Sequence, residues 1–325
     1  MKAIVITQYG DPEVLRIEEV PMPGATEGTI VVRVRAFGLN HAEAYFRKGV
    51  WGEVAKVTGI ECVGEVHDPG ASGLEKGQRV LALMGGMGRT IDGSYAEYVS
   101  APTSNVVPIC SNFDWESLAA IPESYATAWT FLHHNLEVKP GQTLVVRGGT
   151  SALGQAAINI ARQLGVRVYA TSRSREKARI VEALGAEALI ESTDLSTELR
   201  RRVPSGADAV LEIVGSSTVA DSLKMVRYRG RVAIAGFLGG GGSLSLDPLT
   251  QMPSGAQLSF FASAFMFGGP DVPFSAIPFG ELVERAERGD YRTAPAHVFD
   301  FDEIVLAHRL MESGEARGKI VVRAP

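Results

Sequence analysis

Only two cysteines, Cys62 and Cys110, occur in the 325 residues. That excludes a disulfide framework and a four-cysteine zinc lobe. No apolar run approaches the ~20 residues that span a bilayer, so no membrane partner is expected. Blocks of one charge are missing as well: 32 Lys and Arg are interspersed with 37 Asp and Glu, for a net charge of −5. An extended nucleic-acid footprint wants a basic face, so no such partner is expected either. The opening Met1-Lys2-Ala3-Ile4-Val5-Ile6 passes directly into strand-like sequence without a signal-peptide pattern, which points to the cytoplasm.

The length is too great for one ordinary core and suits two domains. The 36 glycines fall mostly at the ends of periodic segments, where the backbone must turn. Up to about residue 120 the chain reads as short strands, at Ala3–Ile6, Leu15–Val20, Thr29–Arg35, Arg79–Leu83 and Tyr95–Val99. Turn sequences such as Gly10-Asp11-Pro12 and His67-Asp68-Pro69-Gly70 separate them, the pattern of an all-β, barrel-like domain. A helical turn is expected at His41–Lys48.

From about 120 the order becomes strand, glycine turn, helix, glycine, strand. The strand Thr143–Arg147 is followed by a glycine loop and by Leu153, Ala157, Ile160, Ala161 and Leu164 at helical spacing. The unit recurs with a helix at Arg175–Leu184 before a strand at Ala188–Ile190, and with a helix near Ser217–Tyr228 before a strand at Arg231–Ala235. Ala209–Val214 fits a further buried strand. Such alternation implies a doubly wound parallel sheet that binds a nucleotide. Beyond Gly239–Gly242 come the apolar, β-rich run Leu258–Phe267, a helix at Phe279–Arg288, and a helix and closing strand within Phe299–Val322. This tail is expected to rejoin the first domain. The expected division is therefore 1–120 with 259–325 for the catalytic, substrate domain, and 121–258 for the dinucleotide domain. His133 and His134, adjacent on a helix, are expected to point apart, one to the surface and one to the core.

The loop Gly149-Thr150-Ser151-Ala152-Leu153-Gly154 has the frame of a dinucleotide turn, with serine at the middle glycine position. Strand before and amphipathic helix after place a pyrophosphate at this helix N-terminus, with the Ser151 hydroxyl available as a donor. An NAD site puts an Asp or Glu at the end of the next strand to hold the ribose 2′-hydroxyl. Here Val166–Ala170 ends instead in Thr171-Ser172-Arg173-Ser174-Arg175, followed by Glu176-Lys177. Hydroxyls and cations suit a 2′-phosphate, so Ser172, Arg173 and Lys177 are candidate NADPH ligands.

Taken in order, several segments resemble the medium-chain dehydrogenase/reductase family, in its quinone oxidoreductase (zeta-crystallin-like) group. They are Gly10-Asp11-Pro12-Glu13-Val14-Leu15, Val34–Asn40, Gly59-Ile60-Glu61-Cys62-Val63-Gly64, Gly93–Val99, Ala119–Pro122 with Thr127-Ala128-Trp129, Leu211–Gly215 and Ala307–Gly314 through Gly318–Val322. The resemblance implies a Rossmann domain beside a GroES-like β-barrel domain that is discontinuous in sequence. Zinc-dependent relatives carry cysteine and histidine where this chain has Asn40 and Ile60, so no metal is expected.

By the same resemblance Asn40 and Tyr45 are the catalytic candidates lining the acceptor site, with Tyr45 a hydrogen-bond donor to a quinone oxygen. Thr127, Gly215, Gly236, Phe237, Phe265 and Lys319 join the cofactor-binding set, although Lys319 also suits simple support of the closing strand. Glu191-Ser192 departs from the group, which usually shows an Asn-Tyr pair beside the adenosine. The implied activity is NADPH-dependent quinone reduction by direct hydride transfer. Reduction of α,β-unsaturated carbonyls or enoyl thioesters uses the same scaffold, and a non-enzymatic NADPH-binding role stays open. Pairing through the Leu258–Met266 run implies a homodimer.

Overall fold

Strand and helix alternate after residue 140: Gly148 turns the first short apolar strand toward its helix, and Gly165 and Gly185, both at positive φ, end the helices that lead into the next strands. The result, in a computed structural model describing residues 1–325, is a six-stranded sheet with every neighbouring pair parallel. Across the sheet the strands run Glu187–Ile190, Arg167–Ser172, Thr143–Arg147, Ala207–Glu212, Val226–Ile234 and Gln257–Phe260. The order reverses beside Thr143–Arg147, the switch point at which such sheets take ligands. Helix Ala152–Gln163 follows that strand. One core layer joins Val145, Tyr169, Leu189 and Val210 to Leu195 and Leu199 of helix Leu195–Arg202. Each of those buried leucines stabilises the layer by roughly 1.5–3 kcal/mol.

The chain divides into two compact units, one of Met1–Ala126, Ser263–Gly289 and Thr293–Pro325, the other of Thr127–Ala262 with Asp290–Arg292. The first unit is built on a mostly antiparallel seven-stranded sheet. Its long strand Thr29–Gly38 pairs with Glu61–Asp68, with Tyr98–Pro102, and with the closing strand Ile320–Arg323. Val321 lies opposite Gly38, so the C-terminal strand is a structural member of the N-terminal sheet.

Three local expectations are corrected. The helix near 217–228 spans only Val219–Met225, and strand begins at Val226. Pairing of Val226–Ile234 with Ala207–Glu212 overrides the helical spacing, and Arg229, at φ 58°, absorbs the irregularity. The apolar run 258–267 is not one strand: strand Gln257–Phe260 ends where its partner Arg231–Ile234 ends, and Ser263–Met266 is a helical turn. His133 and His134 do not divide between surface and core. They lie in a wide π-turn, Phe131–Asn135, which brings both rings against Trp129 with centroids 4.6 and 5.3 Å away.

Candidate active site

At the switch point the loop after Thr143–Arg147 is held by its own backbone. The Gly148 N–H donates to Thr171 Oγ1 at 2.9 Å and the Gly149 N–H to the Thr171 carbonyl at 3.1 Å, tying the loop to the end of the second strand. A β-carbon at Gly154 would lie 2.5 Å from the Gly148 oxygen and 2.8 Å from Gly149 Cα, so only glycine lets the helix start this close. Ser151 caps that helix, accepting from the Gly154 N–H at 3.0 Å. Its hydroxyl proton goes to the Gly148 carbonyl at 2.8 Å, so the Ser151 donor is spent inside the loop instead of facing a ligand. The N–H groups of Ala152 and Leu153, at the first two helical positions, have no intrahelical acceptor and carry the positive end of the helix dipole.

The second strand ends in a shell of hydroxyls and cations. Ser172 is buried and donates to the Ser174 carbonyl at 3.1 Å. Ser174 caps helix Arg175–Ala183 by accepting from the Lys177 N–H. Arg173 is exposed, whereas the Lys177 stem is packed down. None of the residues Thr171 to Arg175 at this strand end carries a carboxylate.

In the other unit, Asn40 precedes helix His41–Arg47 at the exit of the long strand. Its Nδ2 donates to Glu61 Oε1 at 2.9 Å, and its Oδ1 accepts from Lys319 Nζ at 2.7 Å. Lys319 and Glu61 also form an ion pair at 2.5 Å, with Glu61 fully buried. Glu43 closes a capping box, accepting from the Asn40 N–H at 2.7 Å and from the Ile60 N–H at 3.2 Å. Burial pushes the Glu43 carboxyl up to about 8, against the pull of the Lys319 charge. Burial also raises the Tyr45 phenol, which stays neutral, and its ring lies 5.1 Å from that of Trp51. Burial lowers the neighbouring His41, with help from the Lys319 and Lys48 charges.

Residues 26–111 match the family described as alcohol dehydrogenase GroES-like domain, and residues 152–268 match the zinc-binding dehydrogenase family. The quinone oxidoreductase of Lama guanicoe is 27% identical over 332 residues, covering 99% of this chain and 97% of that protein. A mycobacterial protein solved in complex with NADPH is 26% identical with a TM-score of 0.88, covering 99% of both chains. An NAD-dependent alcohol dehydrogenase structure is 29% identical with a TM-score of 0.84 over the whole of both chains. This chain is a medium-chain dehydrogenase/reductase. It is an oxidoreductase, and within the family it is of the quinone oxidoreductase type.

The remaining candidates of this dehydrogenase/reductase fall as follows. Thr127 is buried on helix Pro122–Thr130. Gly215, at φ 112°, donates its N–H to Glu212 and lies against the Phe237 backbone. Gly236 and Phe237 are half-buried after strand Val226–Ile234. Phe265 is largely exposed, with the Arg89 guanidinium 4.5 Å over its ring, and shares a unit with Asn40, Tyr45 and Lys319. The structure thus brings Lys319 to Asn40. Sequence reasoning passed over Glu43, whose only signal was the capping-box spacing Asn40-x-x-Glu43. It met Glu61 only as part of the Gly59–Gly64 segment, and Arg147 only as the end of a strand. Arg147, the last residue of the first parallel strand, is buried and contacts Glu191, Asp221 and Ser222.

Proposed function

We propose that this dehydrogenase/reductase catalyses reduction of quinones by direct, metal-free hydride transfer from NADPH. What supports this reading is the sequence at the second strand's end, where Thr171 to Arg175 include no acid for a ribose 2′-hydroxyl and where Thr171 is tied to the glycine loop, with Ser172, Arg173 and Lys177 following it. The site fits the cofactor in kind. The close approach at Gly154 leaves the Ala152 and Leu153 N–H groups to hold a pyrophosphate. Arg173 and Lys177 suit a 2′-phosphate, and Thr127, Gly215, Gly236 and Phe237 are assigned to the nicotinamide end, with Phe265 as a further contact.

NADPH supplies a hydride when bound. The acceptor gains that hydride and one proton, so a quinone leaves as hydroquinone. Asn40 and Tyr45 are the residues assigned to the acceptor, Asn40 for orientation and Tyr45 as a neutral phenol able to donate to an acceptor oxygen. The metal-free reading rests on donor chemistry. Positions 40 and 60 carry Asn and Ile, and no group of three or more His, Cys, Asp or Glu is placed to hold a metal. A quinone, whose conjugation spreads incoming negative charge, needs no Lewis acid.

We further propose a homodimer and a reducing, cytoplasmic setting. Gln257–Phe260 is an outer strand with Phe260 more than half exposed, and both cysteines are free.

The deciding experiment follows NADPH and NADH oxidation against a panel of quinones, enones and enoyl thioesters, with metal analysis of the washed protein. Quinone turnover with NADPH, without bound zinc, is the expected result. Turnover of enones alone would move the substrate assignment, and tight NADPH binding with no turnover would overturn the catalytic reading.

A further inference from the structure

Lys319 offers a cluster of observations that neither cofactor binding nor strand support explains. The side chain is 5% exposed, and its ammonium is turned onto Glu61 and Asn40. Strand support comes from its backbone: the Lys319 carbonyl accepts from the Ala296 N–H at 2.8 Å, and Ile320 begins the closing strand. A buried ammonium costs desolvation that a Met or Leu at 319 would avoid, so the charge answers a local need.

That need is the Asn40 amide. An ammonium only donates and a carboxylate only accepts, so Lys319 on one side and Glu61 on the other admit a single orientation, Oδ1 to Lys319 and Nδ2 to Glu61. A flip would set N–H against ammonium and oxygen against carboxylate. Glu61 is itself fixed, since its Oε2 accepts from the Glu123 N–H at 2.8 Å at the start of helix Pro122–Thr130. The space for the ammonium exists because residue 38 is glycine: a β-carbon there would overlap Lys319 Cε and Glu61 Oε1.

We propose that Lys319 is a positioning residue that, together with Glu61, locks the Asn40 side-chain amide in one orientation, and that Gly38 is required to admit it. The proposal deepens the reading of Asn40 as an acceptor-site residue and rests on it.

The test uses the full-length protein as Lys319→Met, Gly38→Ala, Lys319→Met/Glu61→Gln and Asn40→Ala/Lys319→Met, with kcat and KM for a quinone, NADPH Kd and thermal unfolding. In Lys319→Met, kcat should fall about tenfold or more while the NADPH Kd stays within about twofold. Gly38→Ala keeps every charge and should show the same loss of kcat. Lys319→Met/Glu61→Gln removes both charges, so its melting temperature should return toward the native value while kcat stays low. In an Asn40→Ala background, Lys319→Met should cost no further kcat. Native kcat in Lys319→Met/Glu61→Gln would reduce Lys319 to a counter-charge and overturn the proposal. So would a raised NADPH Kd with kcat intact, which would make Lys319 a cofactor ligand. If the native protein turned over no acceptor, the catalytic reading would fail by itself. The lock would then be judged by urea unfolding, where additive midpoint shifts for Asn40→Ala and Lys319→Met overturn it and non-additive shifts sustain it.

Discussion

Arg147 and Glu191 meet at the C-terminal end of the parallel sheet, Nε to Oε1 at 2.9 Å, across 44 residues of chain. Arg147 is 1% exposed at its side chain, and its other donors reach Asp221 Oδ2 at 2.9 Å, Ser222 Oγ at 3.1 Å and the Thr218 carbonyl at 3.1 Å. The Glu191-Ser192 pair, which departs from the Asn-Tyr usual in the quinone oxidoreductase group, is thus the counterpart of an arginine at the end of the first strand. A residue that looks anomalous by comparison is accounted for by its partner.

Glu191→Ala should therefore destabilise the protein by about 2 kcal/mol, the scale of a hydrogen bond to a buried charged group. Urea unfolding measures it. In an Arg147→Met background the same substitution should cost much less, because no guanidinium is left to pair.

Ser172→Asp places a carboxylate where the strand end offers only hydroxyls and cations. The NADPH Kd should rise about tenfold or more as the added charge repels a 2′-phosphate, while NADH binding holds or improves. Fluorescence titration with both nucleotides gives the ratio, and an unchanged ratio would remove Ser172 from the cofactor site.

Tyr45→Phe keeps the ring beside Trp51 and deletes only the phenol. If the phenol donates to the acceptor, kcat should fall about tenfold or more with little change in the NADPH Kd. Native kcat in steady-state assays would leave Tyr45 a packing residue.

His308 carries a pH dependence of stability. It is fully buried, with Nε2 3.1 Å from the Tyr95 hydroxyl, and burial together with the Arg47, His41 and Lys48 charges pushes it down to about 3. An unfolded histidine titrates near 6.5. Above that pH both states are neutral and the contribution is complete. As pH falls below it, the unfolded chain takes up a proton that the folded chain refuses until about 3, so stability is lost through that window. Between pH 7 and 5 the loss is about 2 kcal/mol. The shift in urea midpoint between those two pH values should be smaller in His308→Gln, and an equal shift would contradict the assignment.

Reading residues in order served well wherever a signal is contained in one turn or one strand. The glycine loop, the acid missing after Val166–Ala170, the non-ligand residues Asn40 and Ile60 and the return of the C-terminal tail were all legible. It failed where pairing decides the outcome. Val226 to Tyr228 were read as helix because their spacing allows it, yet Val226 pairs with Ala207 and the chain runs on as strand to Arg231, opposite Ala209. The Ser151 hydroxyl was read as free for a ligand, because only the folded loop brings the Gly148 carbonyl to it.

By itself, the order of residues determined the class of cofactor chemistry and the succession of strands and helices, since these depend on neighbours a few positions apart. Tertiary structure alone decided which charges share the interior. Lys319 reaches Asn40 across 279 residues and Glu61 across 258, and Tyr95 reaches His308 across 213. The reason is energetic: a buried polar or charged group must find a partner, and in a folded chain that partner is chosen by which strands come to lie side by side, which local periodicity does not encode.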